Sequence, residues 1–216
     1  MADLDGDGRW DLISGSYPGE IYWFRRKASG AFAKPVTLKR GAAPLNVGRA
    51  TAVAVADWDA DGDPDLIIGT IDGKVWLVPN EGSKTRPKFR SRRRLKAGDA
   101  TVAVSGDAGP CVADWDQDGK PDLLVGGAEG EVLWYRNVGT RTKPALSKPE
   151  TLLPALRKKP PLPPKRSGLR VKPCVTDWNG DGRPDLLVGD LWFIPPPKPQ
   201  APRLHGFVWV YLRDEK

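Results

Sequence analysis

The sequence is poor in the residues that most often carry catalysis, redox chemistry or membrane insertion. Its 216 residues include one histidine, one methionine and two cysteines. No apolar run approaches 18 residues, so the sequence predicts no membrane-spanning helix. No segment repeats its apolar residues with a period of 3.6, which argues against helices. By contrast, the 24 glycines and 22 prolines indicate many short elements joined by turns.

An internal repeat is the main positive feature of the sequence. Four segments share one acidic pattern: DLDGDGRWDLISG from Asp3, DWDADGDPDLIIG from Asp57, DWDQDGKPDLLVG from Asp114 and DWNGDGRPDLLVG from Asp177. In three units an aromatic-rich apolar stretch follows at the same offset, as EIYWF, KVWLV and EVLWY. In the fourth unit the matching FVWVY starts at Phe207, displaced by 13 residues by a proline-rich insert.

Each unit is predicted to hold four short strands, because runs of 4–8 β-branched and aromatic residues are bounded by Gly, Pro and Asp. The predicted fold is an all-β propeller of four-stranded antiparallel blades in one domain, residues 1–216. The units are approximately residues 1–45, 46–105, 106–165 and 166–216. Unit one has only a stub of a first strand, and unit four lacks a fourth. We therefore infer a partial ring, a fragment of a larger propeller, or a ring completed by self-association.

The acidic loops are candidate metal sites. Residues 57–65 (DWDADGDPD) hold five aspartates, of which four are proposed as carboxylate ligands. Two unit charges about 4 Å apart repel by roughly 4 kcal/mol at an effective dielectric of 20. A hard divalent cation with oxygen ligands is the natural partner, and the glycine permits a tight turn around it. The candidate ligands are Asp3, Asp5, Asp7, Asp11 and the Arg9 carbonyl; Asp57, Asp59, Asp61, Asp65 and the Asp63 carbonyl; Asp114, Asp116, Asp118, Asp122 and the Lys120 carbonyl; and Asp177, Asn179, Asp181, Asp185 and the Arg183 carbonyl.

Calcium is the expected ion, with up to four ions per chain. Magnesium requires an octahedral shell and retains water, whereas each loop offers five or six flexible oxygens. Zinc is not expected, since neither Cys nor His lies within the loops. An EF-hand is excluded because its bidentate Glu at the twelfth place is absent. The fourth loop carries one charge fewer, at Asn179, and is expected to bind most weakly.

The pattern DxDxDGxxDL, opening a strand in each repeat, resembles the FG-GAP/VCBS repeat family, which includes the α-subunit propeller of integrins. The resemblance implies a β-propeller with calcium in a hairpin loop of each matching blade. It also implies extracellular or cell-surface binding, adhesion or scaffolding, although no signal peptide is visible in this chain. The alternative is the propeller domain of a carbohydrate-active enzyme, a polysaccharide lyase or hydrolase. Because no catalytic arrangement can be built around His205, we expect no enzyme activity.

The formal charge is +7, from 34 Lys and Arg against 27 Asp and Glu. Most acidic residues are proposed ligands, so the remainder is strongly basic, with clusters at residues 25–27, 90–96 and 157–166. One interpretation is an anionic partner: an acidic polysaccharide, a nucleic acid or an anionic membrane surface. The partner expected for the module is an unidentified protein or polysaccharide. The favoured interpretation of the charge is protection of outer strands, because residues 90–96 overlap a predicted fourth strand. No nucleic-acid motif accompanies the charge, so nucleic acid is not an expected partner.

The repeat also predicts the roles of the cysteines and tryptophans. Cys111 and Cys174 occupy equivalent places and are expected to be buried thiols, with a disulfide between neighbouring blades as the alternative. Tryptophans that recur at equivalent places predict packing between blades: Trp58, Trp115 and Trp178 in the loops, and Trp23, Trp76, Trp134 and Trp209 in the third strands. The two that do not repeat, Trp10 and Trp192, are candidates for sugar stacking.

Overall fold

Short antiparallel strands make up the molecule, and its described residues contain no helix. The computed structural model describes residues 1–156, 167–194 and 203–213. The strands are β1 (Leu12–Gly15), β2 (Ile21–Phe24), β3 (Val36–Thr37), β4 (Lys39–Arg40), β5 (Ala43–Pro44), β6 (Ala52–Ala56), β7 (Asp65–Gly69), β8 (Val75–Val78), β9 (Arg93–Arg94), β10 (Lys96–Ala97), β11 (Ala100–Thr101), β12 (Gly109–Ala113), β13 (Asp122–Gly126), β14 (Val132–Tyr135), β15 (Glu150–Leu153), β16 (Leu169–Thr176), β17 (Asp185–Ile194), β18 (Arg203–His205) and β19 (Val208–Tyr211). They build a four-bladed β-propeller, which confirms the predicted fold class.

Blades 2 and 3 are complete four-stranded sheets with the same register. Blade 2 has the order β6-β7-β8-β9, and blade 3 has the order β12-β13-β14-β15. Leu66 of β7 lies opposite Val55 and Val78, just as Leu123 of β13 lies opposite Val112 and Tyr135. Both faces of these central strands are buried, so each blade is covered by a neighbour on either side. Small hairpins, β4-β5 and β10-β11, follow blades 1 and 2.

Blades 1 and 4 depart from this plan. Blade 1 has the order β1-β2-β3, and its first strand is reduced to a single bridge between Ala2 and Asp11. In blade 4, Leu186 of the long strand β17 lies opposite Tyr211 of β19, which confirms the predicted 13-residue displacement. The insert extends β17, whose far half pairs with β18 through Trp192 opposite His205.

Three hydrophobic clusters hold successive blades together in the described part of the chain. They join blades 1 and 2, blades 2 and 3, and blades 3 and 4. None of the three joins blade 4 to blade 1. The prediction that the ring is partial or belongs to a larger one stays a prediction.

The repeated tryptophans and cysteines only partly match their predicted burial. Trp58 and Trp115 are 2% and 9% exposed and lie in two of the interblade clusters, as predicted. Trp178 is 60% exposed, so the prediction of interblade packing is wrong for it. Both cysteines are free thiols; Cys111 is half-buried and Cys174 is exposed, so the prediction of a buried thiol is wrong for Cys174. The difference arises because no other blade in the described part of the chain packs against that side of blade 4.

Candidate metal centre

The four acidic loops adopt one backbone conformation. Their fourth and sixth residues have positive φ in every copy; in the second loop these are Ala60 (57°) and Gly62 (93°). A Cβ at Gly62 would meet no atom within 4 Å, so the backbone angle rather than space explains the glycine. The first aspartate closes the turn: Oδ2 of Asp57 accepts a hydrogen bond from the N–H of Gly62 (3.2 Å).

Three of the loops bring their carboxylates together. Oxygens from the carboxylates of each group lie within 4.8 Å of one another. The groups are Asp3, Asp5 and Asp7; Asp57, Asp59 and Asp61; and Asp114, Asp116 and Asp122. Such an arrangement of hard oxygen donors suits a divalent cation of the calcium type.

Buried oxygens in these loops test whether a cation fits. The second aspartate of each of the three loops has a buried Oδ1 with no hydrogen-bond partner, at Asp5, Asp59 and Asp116. Buried polar oxygens are normally paired, and the same orphan recurs at one position in three loops. The donor set therefore fits a resident cation, to which these oxygens would be ligands.

The fourth loop is arranged differently. Its described aspartates do not form a group of the kind found in the other three. The amide of Asn179 donates a hydrogen bond to Oδ2 of Asp181 (2.9 Å), and the guanidinium of Arg183 pairs with the same carboxylate (2.7 Å). These bonds lower the pKa of Asp181 to about 2, with Arg183 as the largest cause. Internal hydrogen bonds thus stabilise this loop, in line with the expectation of a weak site.

The ninth residue of each loop is a fully buried aspartate with a structural task. Asp65 accepts hydrogen bonds from the backbone N–H groups of Trp58 (3.1 Å) and Asn80 (2.7 Å). It thereby connects the loop to the chain that leaves the third strand. Burial raises the pKa of Asp65 to about 6, against those two hydrogen bonds. The equivalent Asp11, Asp122 and Asp185 make corresponding bonds. The sequence predicts only a metal ligand at this position, whereas the structure shows that it also accepts backbone hydrogen bonds.

Cationic side chains beside the loops were missed by the sequence analysis. The Nε of Arg25 lies 3.5 Å from Asp5, and the Nε of Arg136 lies 2.5 Å from Asp116. Both arginines follow the third strand at equivalent places, where the second unit has Pro79. The aligned repeats show an arginine at this position in two units, and this sequence signal could have identified both side chains.

The second loop is the only one of the four that shows no ion pair among the described residues. In the others, the residue at the seventh place pairs with the third acidic position, as Lys120 does with Asp118 (2.9 Å). The second loop has Asp63 at that place. Burial, followed by repulsion from Asp61 and Asp57, raises the pKa of Asp59. By contrast, the hydrogen bond from Lys120 lowers the pKa of Asp118.

A second structural signal was also overlooked. Oδ1 of Asn80 accepts hydrogen bonds from the N–H groups of Gly82 (3.0 Å) and Lys88 (2.9 Å). Asn137 repeats this arrangement with the N–H groups of Gly139 and Ala145. The recurrent Asn-x-Gly at residues 80–82 and 137–139 was the sequence signal for this closed turn. The turn orders the segment that follows the third strand in blades 2 and 3.

The basic clusters pack against aromatic rings at the blade edges. Strand β9 lies within the cluster at residues 90–96, and the guanidiniums of Arg92 and Arg94 lie 5.4 and 5.1 Å from the ring centre of Trp76. Arg25 lies 4.2 Å from the ring of Trp23. Arginines on an outer strand that also cover aromatic surface agree with the interpretation of edge protection. The cluster at residues 157–166 lies outside the described residues.

The candidates for sugar contact and catalysis differ in exposure. Trp10 is 60% exposed and remains a candidate for sugar stacking, but Trp192 is 5% exposed, so that prediction is wrong for Trp192. His205 lies exposed in β18. Glu131 is 7% exposed and accepts a hydrogen bond from the N–H of Ser105 (2.7 Å), which is a structural contact.

Comparison with known families agrees with the repeated loop geometry. A family model described as "FG-GAP-like repeat" matches residues 3–68, 57–125 and 114–188. The chain belongs to the FG-GAP-like repeat family. This membership confirms the resemblance inferred from the acidic loops.

Individual relatives place these FG-GAP-like repeats in larger proteins. Human integrin alpha-7 is 28% identical over 178 residues, covering 77% of this chain and 14% of the integrin. A chain of the Photorhabdus luminescens Tc holotoxin pore superposes with a TM-score of 0.50 at 22% identity, over 98% of this chain and 9% of that one. An Agrocybe aegerita lectin gives a TM-score of 0.49 at 18% identity, over 98% of this chain and 56% of the lectin. The described residues contain no helix able to cross a membrane.

Proposed function

We propose that this chain is a calcium-binding β-propeller module that acts outside the cell in binding, adhesion or scaffolding. The observation that carries the proposal is the orphaned Oδ1 of the second loop aspartate in three equivalent loops. Three equivalent loops, each with clustered carboxylates and the same unpaired oxygen, favour a bound ion. Integrin alpha-7, a relative, supports the extracellular and adhesive part of the proposal.

Calcium would act chiefly on stability. Each loop joins the first two strands of its blade, or in blade 1 the single bridge and β1, and clusters like charges between them. An ion that binds the folded loop stabilises the protein by roughly 2.7 kcal/mol at a hundred times its dissociation constant. Neutralising the carboxylates would thereby lock the strand connection in each blade.

Calorimetric titration of the chelator-treated chain with calcium chloride tests the ion directly. Saturable binding is expected, with the first three loops filled before the fourth and with magnesium binding more weakly. The variant Asp59→Asn should weaken calcium binding at one site about tenfold, whereas Asp99→Asn, an exposed aspartate outside the loops, should leave calcium binding unchanged. Absence of calcium binding, together with a melting temperature unchanged by EGTA, would refute the proposal.

The partner is proposed to be a protein or a polysaccharide, of anionic character if the basic outer strands take part. The exposed arginines at residues 90–94 and the exposed Trp10 support this choice. Retention of the chain on columns of acidic and of neutral polysaccharide, with and without calcium, tests it. Calcium-dependent retention without release of sugar products supports a binding module. Release of sugar products would contradict the binding module and support the alternative, a polysaccharide lyase or hydrolase.

A further inference from the structure

Each blade presents one face to the blade that follows it, which we call the back face. It consists of four equivalent positions: the second loop residue, the middle of the second strand and two places in the third strand. The sets are Leu4, Ile13, Ile21 and Trp23 in blade 1; Trp58, Ile67, Val75 and Leu77 in blade 2; Trp115, Leu124, Val132 and Trp134 in blade 3; and Trp178, Leu187, Val208 and Val210 in blade 4. All sixteen side chains are apolar or aromatic.

The back faces of the first three blades are covered, whereas the described residues leave that of blade 4 open. In blade 2, Trp58 and Leu77 are each 2% exposed and Val75 is 0% exposed. In blade 4, the equivalent Trp178 is 60% exposed, Val208 70% and Val210 38%. An apolar face of this kind, built to the same pattern as three buried interfaces, marks an interaction surface.

A repeated glycine on the back faces shows how closely the following blade approaches. A Cβ at Gly69 would lie 2.2 Å from the carbonyl oxygen of Ala108, and one at Gly126 would lie 2.3 Å from that of Val171. In both cases the oxygen belongs to the segment that begins the next blade. At the equivalent Gly189 of blade 4, the nearest atom is the carbonyl oxygen of Lys172, at 3.9 Å within the same blade.

Blade 1 has an uncovered apolar position on its front face, which we define as the face that would contact a preceding blade. Leu12 is 37% exposed, whereas its equivalents Leu66 and Leu123 are 0% exposed and Leu186 is 3% exposed. Those three leucines belong to the clusters that cover the back faces of blades 1, 2 and 3. The molecule therefore carries both halves of an interface that it already forms three times internally.

We propose that the open back face of blade 4 binds the front face of blade 1 in a second copy of this chain. The contact repeats a packing arrangement present three times within one chain, and it places Leu12 against the tryptophan and valines of blade 4 as Leu66, Leu123 and Leu186 pack within the chain. It is heterologous, since two different surfaces meet. When the second copy returns the same contact, two chains close one ring of eight blades with no apolar face left open.

Sedimentation over a range of chain concentrations tests the association. The unaltered chain is expected to form a dimer as concentration rises. Val208→Asp should weaken dimer formation at least tenfold, and Leu12→Asp should do the same from the other side. Val138→Asp is the matched control, because Val138 is 60% exposed on a loop away from both faces. Unchanged melting temperatures of the variants would show that each monomer remains folded.

Mixing the two variants distinguishes this contact from other pairings. A mixture of the Val208→Asp and Leu12→Asp chains retains one intact pair of surfaces, so heterodimers should reappear. A chain that stays monomeric at every concentration overturns the proposal. Loss of the dimer with Val208→Asp but not with Leu12→Asp also overturns it, because that result indicates two blade 4 faces in contact.

Discussion

The second and third acidic loops have nearly the same sequence and the same backbone but differ in how their charge is neutralised. In the third loop, Arg136 lies 2.5 Å from Asp116, and Lys120 lies 2.9 Å from Asp118. In the second loop the corresponding places hold Pro79 and Asp63, and no ion pair is formed among the described residues. The third loop contains part of its own counter-charge, whereas the second has none among the described residues.

The electrostatic contrast has a definite size. The second-loop carboxylate oxygens lie within 4.8 Å of one another, and two unit charges at that limit repel by roughly 3.5 kcal/mol at an effective dielectric of 20. Exposed arginine pairs offset only a small part of such repulsion, since they contribute about 0.2–1 kcal/mol each. Calcium is therefore expected to stabilise both loops, and the second loop more than the third.

The largest effect is expected where the two loops are alike. Truncating the ninth residue, as in Asp65→Ala or Asp122→Ala, removes the acceptor of buried backbone N–H groups. Each lost acceptor costs about 1–3 kcal/mol, partly offset because a charged carboxylate is no longer buried. We expect about 2 kcal/mol of destabilisation for Asp65→Ala, measured by urea unfolding in EGTA. Asp122→Ala should cost more, because Asp122 also accepts a hydrogen bond from the indole N–H of Trp134 (2.9 Å). A smaller effect for Asp122→Ala than for Asp65→Ala would contradict this bond network.

The next effect concerns calcium itself. Asp59→Asn should remove about 1.4 kcal/mol of calcium-dependent stability, equal to a tenfold change in binding. Asp116→Asn should remove less, because Arg136 already neutralises part of the third loop. The measurement is the rise in melting temperature on adding calcium, which should fall by about 4 °C for Asp59→Asn. An equal fall for both variants would contradict the proposed contrast.

A smaller, shared effect is expected from the backbone. Ala60 and Gln117 occupy the fourth loop place with φ of 57° and 59°, a region costly for residues with a Cβ. Ala60→Gly should stabilise the chain by about 0.5–1 kcal/mol, since glycine adopts this angle without strain. Gln117→Gly should stabilise it less, because it also removes the hydrogen bond that Nε2 of Gln117 donates to the carbonyl oxygen of Gly182 (2.8 Å). Thermal unfolding of each variant measures the change, and destabilisation by Ala60→Gly would contradict the expected relief of strain.

The smallest effect should come from the arginine that distinguishes the loops. Arg136→Gln is expected to lower stability without calcium by about 0.5 kcal/mol, as for other exposed ion pairs. It should also raise the affinity of the third loop for calcium, making that loop resemble the second. Calorimetry on this variant provides the affinity. Weaker calcium binding by Arg136→Gln would mean that the guanidinium positions the ligands instead of competing with the ion.

Most of the repeated structure followed from sequence pattern because identical segments face identical local requirements. The glycine at the sixth loop place and the displaced strand at Phe207 were both predicted correctly. The arginine pairs were not, because Arg136 stands 20 residues after Asp116 and reaches it only once the third strand has folded back. The burial of Asp65 was missed for the same reason, since its partner Asn80 lies across the sheet.

The sequence by itself determined the blade: four acidic loops, the strands around them and the clustering of hard oxygen ligands. These are local properties, set within one repeat by residue type and spacing. Only the tertiary structure decided which copies of the repeat share the same burial and the same ion pairs. Trp58 and Trp178 share one place in the repeat, yet one is buried and the other exposed, because burial depends on whether another blade stands beside it. Likewise, whether a loop has its own counter-charge depends on side chains delivered from a different strand.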